Sequence, residues 1–166
     1  MAAVTWQSAA FQLFQLGLAY LLALPIGWNR EREDRSAGLR TFPTVAVAAC
    51  GFAILGTSTP GATSDSYSRI LQGLITGIGF IGGGVILHDK GTATGMATAA
   101  SIWSIGIAGA AVGFQQYPIA VALTLLDLLT FTLLTPLKRR LDVPPSGTVV
   151  ARAVAETRAV SDRALP

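Results

Sequence analysis

No Asp, Glu, Lys, Arg or His lies between Met1 and Trp28. An apolar run of 18 or more residues without charge is long enough to cross a bilayer as a helix, and this chain repeats the pattern. Arg40 and Asp65 bracket a second such run, Arg69 and His88 a third, and Lys90 and Asp127 a fourth that has room for two crossings. Gly113 to Pro118, with a glycine, two glutamines and a proline, reads as the turn that divides it. The pattern predicts five membrane helices, near residues 9–28, 42–58, 67–87, 95–112 and 118–137. Pro43 and Pro118 fall in predicted first turns, where a helix tolerates proline best.

Composition agrees. Hydrophobic residues make up 51% of the chain and charged residues 13%, and the mean hydropathy of +0.54 is too apolar for a water-soluble surface of this size. The N-terminus lacks the basic start of a secretory signal peptide, so the first helix is expected to remain in the mature protein. With five crossings, eleven of the twelve Lys and Arg residues fall on one side and Arg69 alone on the other. Loops rich in Lys and Arg stay cytoplasmic, which predicts an N-terminus outside and a C-terminus in the cytoplasm. The same distribution accounts for the basic pI without nucleic acid as a partner. The single Cys50 lies inside the second run, which argues against a disulfide or a cysteine-type metal site.

Gly77, Gly79 and Gly82 have the spacing of a dinucleotide-binding turn. That reading requires a strand before the glycines, a helix opening after them and an acidic residue about 20 positions on. Here Val85, Ile86 and Leu87 follow, and no acid lies between Lys90 and Asp127. On a helix the same residues form two faces, Gly73, Gly77 and Gly84 on one and Gln72, Thr76, Gly79 and Gly83 on the other. Small residues let helices approach closely in lipid, so the third helix is expected at the centre of the bundle. A second reading has Gly82, Gly83 and Gly84 unwinding the helix to expose carbonyls to an ion.

Asp127 sits mid-way along the fifth helix, about 15 Å from either end at the usual rise. It either lines an ion or proton pathway or, as a neutral acid, pins helices together. Thr124 and Thr130 lie near the same face. Thr94, Thr98 and Ser101 share a face of the fourth helix and, with Gln72 and Thr76, would build one polar seam, although Ser/Thr contacts between membrane helices are the plainer reading. Asn29 to Arg40 alternates in sign, with Glu31 and Arg35 at i,i+4 spacing. The stretch is read first as a topology anchor, and alternatively as a dock for a partner or a lipid headgroup in which Glu31, Glu33 and Asp34 take Mg²⁺ through water. Arg69 opens the third helix, where the macrodipole disfavours it, and Asp65 is its nearest acid. Trp6, Trp28 and Tyr117 fit interfacial anchors, whereas Trp103 is expected to pack inside. His88 reads as a loop histidine with no metal role. No catalytic constellation emerges, so neither enzyme activity nor a cofactor is expected.

Taken in order, Pro25 to Glu33, Ala37 to Thr41, Arg69 to Gln72, Gly77 to Ile86, Gly91 to Gly95 and Thr98 to Trp103 resemble the MgtC/SapB family of bacterial inner-membrane proteins. The resemblance covers about residues 16–137. It implies an inner-membrane protein linked to growth under magnesium limitation and, in pathogens, to survival inside host cells. It further implies action through other membrane proteins, the F-type ATP synthase among them, or through self-association. Carried over by position, Asn29, Arg30, Glu31, Arg32, Glu33, Gly38, Arg40, Thr41, Arg69, Gln72, Gly77, Gly79, Gly82, Thr98 and Trp103 fall in the family pattern. Larger members add a cytoplasmic domain, and regulation through one is not expected here, where 24 residues follow Asp142. The expected organisation is an all-α bundle of five transmembrane helices over 1–142 and a short cytoplasmic tail over 143–166. The expected function is regulation of a membrane partner under low magnesium, and the rival is a Mg²⁺ or proton transporter built on Asp127.

Overall fold

The computed structural model describes residues 6–33, 37–59, 61, 63–89 and 92–134. The expectations for the tail 143–166, and those for Asp34 and Arg35, lie outside these residues. Five helices account for nearly all of the rest: α1 (Trp6–Arg32), α2 (Thr41–Ser58), α3 (Ser64–Gly84), α4 (Met96–Gly113) and α5 (Tyr117–Leu129), the last continued by a π-helical turn, Thr130–Leu134. Four of them, α1, α2, α4 and α5 with its π turn, are long and apolar enough to cross a membrane. Each predicted helix has its counterpart, and the edges moved where local chemistry overrode hydropathy. α1 continues past Trp28 to Arg32 because its last turn is held from the side. α3 begins earlier than its apolar run, at a capping box in which Thr63 and Ser66 satisfy each other's backbone N–H groups.

Gly82, Gly83 and Gly84 close α3 as helix and do not unwind it. The chain then forms a small antiparallel hairpin, β1 (Leu87–Asp89) and β2 (Thr92–Thr94), with His88 opposite Ala93. Gly95 returns the chain to α4 at φ 87°, and a side chain there would run into the Val85 carbonyl, so glycine is required. The α4–α5 turn falls at Gly113 to Gln116 as predicted, with Gln115 at φ 61°.

The centre of the bundle is α4 and not α3. α4 packs on all four other helices and buries eleven of its residues, whereas α3 buries Ile78 and Gly82. The cause is small residues on α4 itself. Gly109 lies against the Ala46 backbone of α2, and a Cβ at Gly113 would stand 2.6 Å from both the Cys50 carbonyl and the Ala53 methyl. Among the α3 glycines, Gly82 approaches Ala99 of α4, while Gly73, Gly77, Gly79, Gly83 and Gly84 have no neighbour within 4 Å of where a side chain would begin. The core runs along α4 from Ile102 and Ile105 to Val112 and takes in Ala23 and Ile26 of α1, Phe42 and Cys50 of α2, and Ala120 of α5.

Candidate functional site

Arg30 occupies the last turn of α1, where a cation complements the carbonyl end of the helix. Its side chain turns into the bundle and is 3% exposed. Nη1 pairs with Glu33 Oε2 at 3.0 Å, Nη2 donates to Thr98 Oγ1 at 2.7 Å, and the guanidinium carbon stands 4.4 Å above the centre of the Phe131 ring. Three segments therefore meet on one side chain: the end of α1, the first turn of α4 and the π turn after α5. A π turn admits one extra residue into the helical ladder and re-aims the side chains around it. Here it holds Phe131, which is buried.

Glu31 works on the other side of the same turn. Its Oε2 accepts the Leu39 N–H at 3.0 Å, and a Cβ on Gly38 would collide with that carboxylate. The Gly38 carbonyl in turn accepts from Thr41 N–H at 3.0 Å and Phe42 N–H at 3.1 Å, which starts α2. Gly27 lets the returning chain lie close, with Leu39 Cα 3.2 Å from where its side chain would begin. Asn29 to Glu33 and Ala37 to Thr41 thus meet as a folded corner, with Arg30 inside it and Glu31 clasping its rim. Arg32 and Arg40 are exposed on its surface, and Asn29 is half-buried with no hydrogen bond to Oδ1.

Of the remaining predicted residues Thr98 joins this corner, while Gln72, Thr76, Trp103, Arg69 and Asp127 do not. Thr98 and Ser101 are buried, and Thr98 bonds to Arg30. Gln72 and Thr76 are exposed on α3, where the Thr76 hydroxyl donates to the Gln72 carbonyl at 2.9 Å, so the expected seam between α3 and α4 does not form. Trp103 is 42% exposed, against the expectation of an inside position: the small residues of α4 take up the tight contacts and leave the indole outward. Arg69 is exposed, and no salt bridge joins it to Asp65 among the described residues. Asp127 is half-buried, with Ser104 of α4 as its polar neighbour. Among the described residues no three His, Cys, Asp or Glu side chains gather as a metal-binding group.

The sequence reading passes over Gln15, which is 2% exposed and donates from Nε2 to the carbonyls of Val112 at 2.9 Å and Gly113 at 3.3 Å. The signal available was an amide inside a charge-free run. Phe131 and Ser104 carry no comparable signal. A groove of about 530 Å³ opens between α2 and α3, lined by apolar side chains such as Phe52, Ile70 and Ile81 together with Gly73 and Gly77.

These features define a helical membrane protein locked at one end by an enclosed arginine. The chain belongs to the MgtC family, whose model matches residues 16–140. It is 34% identical over 131 residues to the protein SrpB of Synechococcus elongatus, covering 72% of each chain. It is 35% identical to the protein MgtC of Salmonella typhimurium over 80% of this chain and 56% of that one. To MgtC of Brucella abortus it is 32% identical, over 84% of this chain and 58% of the relative. The chain thus spans little more than half the length of the MgtC proteins it matches. No solved structure matches it.

Proposed function

We propose that this chain is a non-catalytic protein of the bacterial inner membrane that supports adaptation to low magnesium, and survival inside host cells in a pathogen, by regulating another membrane protein. The observation that carries the reading is the division between closed interior and open surface. A transporter needs its polar residues on one wettable cavity, whereas Gln72 and Thr76 are exposed on α3, Thr98 is buried against Arg30 and Asp127 lies along α5 beside Ser104. A regulator needs an outward face that another helix can approach closely, and Gly73, Gly77, Gly79, Gly83 and Gly84 leave α3 in that condition. The F-type ATP synthase is the partner that the family resemblance suggests, with self-association the alternative.

In this reading α3 is a fifth crossing. Its 21 residues extend about 31 Å at 1.5 Å per residue, the thickness of a hydrocarbon core. The Arg30–Thr98 bond supports the same count. With the start of α4 bonded to the end of α1, a chain that crosses away in α2 and returns in α3 fits this reading. The excess of basic residues then puts the Arg30 corner in the cytoplasm and the N-terminus outside.

The test pairs growth with flux. A strain lacking the gene is complemented in low-magnesium medium with the native chain or with Gly77→Leu at matched membrane levels, while purified native protein is assayed for Mg²⁺ and proton flux in liposomes. Rescue by the native chain alone, without flux, is the expected result. Flux that Asp127→Asn abolishes would replace the regulator with the transporter.

A further inference from the structure

Asp127 plays no part in the Arg30 corner or in the outward face of α3, yet it is the single acid or base between Tyr117 and Leu134. Its surroundings restrict the charge it can hold. The Ser104 side chain of α4 is the polar neighbour of the carboxyl, and Oδ2 is buried without a hydrogen-bond partner. α4 carries no Asp, Glu, Lys, Arg or His, and α5 with its π turn carries no other. On α1 the inward-turned cation is Arg30, which lies over Phe131, one turn nearer the helix end, and is engaged by Glu33 and Thr98. No ion pair reaches Asp127 among the described residues. An ionised carboxylate would leave a bare, buried oxygen in the apolar layer, which such sites avoid by neutralising the group.

The neutral acid has a local solution. In the same helix the Thr124 hydroxyl donates to the Ala120 carbonyl at 3.0 Å and the Thr130 hydroxyl to the Leu126 carbonyl at 2.7 Å, each four residues back. A carboxyl O–H at Asp127 has the Leu123 carbonyl at the same offset, so its proton can be bonded without a partner from outside the helix. The neighbouring Ser104 hydroxyl is then free to donate to the other oxygen.

We propose that Asp127 is a neutral, proton-carrying carboxyl within the bilayer and is this chain's site of reaction with apolar carbodiimides. In that reaction the carboxyl proton passes to one carbodiimide nitrogen and the carboxyl oxygen adds to the central carbon. The acyl group then shifts from oxygen to nitrogen, leaving a stable N-acylurea. The whole reagent is added, nothing leaves, and no redox step occurs. The proposal is independent of the regulatory reading, since a fixed proton is compatible with a protein that moves no ions.

The experiment is infrared spectroscopy of the full chain in liposomes at neutral pH, with aspartate carboxyls labelled with ¹³C. A carboxylic C=O band that shifts with the label and is lost in Asp127→Asn is expected. Ser104→Ala should keep that band and raise its frequency, because the carbonyl loses a hydrogen bond; this assigns the band even if Asp127→Asn fails to fold. Dicyclohexylcarbodiimide should then modify the peptide containing Asp127. A spectrum in which aspartate contributes carboxylate bands alone, or a carboxylic band that survives in Asp127→Asn, overturns the proposal.

Discussion

Arg30 on α1 donates to the Thr98 hydroxyl on α4 at 2.7 Å, closing a gap of 68 residues. The same guanidinium holds Glu33 and covers Phe131, so one side chain ties together segments from the start, middle and end of the bundle. A charge enclosed in this way is stable through its partners, and removing one member of a buried pair strands the other. Glu33 retains some solvent contact at 16% side-chain exposure, which moderates the loss.

Arg30→Ala should therefore destabilise the folded chain by on the order of 3 kcal/mol. Thr98→Val should cost about 1 kcal/mol, the usual net worth of one hydrogen bond. Thermal or denaturant unfolding in detergent measures both. Arg30→Lys should recover little, because an ammonium is a point charge and does not reproduce the planar fork that reaches Glu33 and Thr98 together. Equal stability of Arg30→Ala and the native chain would remove the corner as a structural lock.

The five helices were legible because each contains a long apolar stretch with few or no charges, and hydropathy is a local property. Which helix lies at the centre was not. Gly77, Gly79 and Gly82 drew notice to α3 by their dinucleotide-like spacing, yet Gly106, Gly109 and Gly113 lie at spacings of three and four on α4, a pattern equally visible in the sequence. What separates the two is the flanking polarity: α3 carries Asp65, Arg69, Gln72 and Thr76, whereas α4 has no charge at all, and a helix apolar on every side belongs inside. The site was legible in part. Arg30, Glu31, Gly38, Thr41 and Thr98 were named from the family pattern, but spacing along one helix cannot say which residue of another it meets, so Thr98 was matched to Gln72 and Thr76 when its partner is Arg30.

Gly109→Ala and Gly77→Ala should separate the inner and outer glycines. A methyl at Gly109 meets the backbone of Ala46, which cannot rotate away, and the expected cost is about 1–3 kcal/mol from overpacking. At Gly77 the added methyl meets nothing within 4 Å, so folding stability should hold or rise slightly through the better helix propensity of alanine. Unfolding midpoints of the two variants in detergent decide the matter. Comparable losses from both would mean that α3 is covered in the folded chain.

Gln15→Leu removes an amide that bridges α1 to the last turn of α4. The Val112 carbonyl also accepts the Gln115 N–H at 3.0 Å, so losing the amide falls mainly on the Gly113 carbonyl at the helix end. Hydrogen bonds between membrane helices average less than those in water-soluble cores, and the expected loss is about 0.6–2 kcal/mol. Gln15→Glu should be the more severe change, since it substitutes an acceptor for the donor opposite two carbonyls. A Gln15→Leu variant as stable as the native chain would show that the leucine's packing offsets the lost bonds.

Gly38→Ala and Glu31→Ala should act through one contact. The methyl at Gly38 displaces the Glu31 carboxylate from the Leu39 N–H, and truncating Glu31 removes the same acceptor directly. Each is expected to cost about 1 kcal/mol, one hydrogen bond at the α1–α2 corner. Glu31→Gln, which retains a carbonyl oxygen, should be milder. Because the two alanine changes delete a shared interaction, the double variant should lose clearly less than the sum of the two single losses, an interaction of the size seen between touching residues. A double-mutant cycle on unfolding free energy measures this, and strict additivity would mean that Glu31 does not clasp the corner.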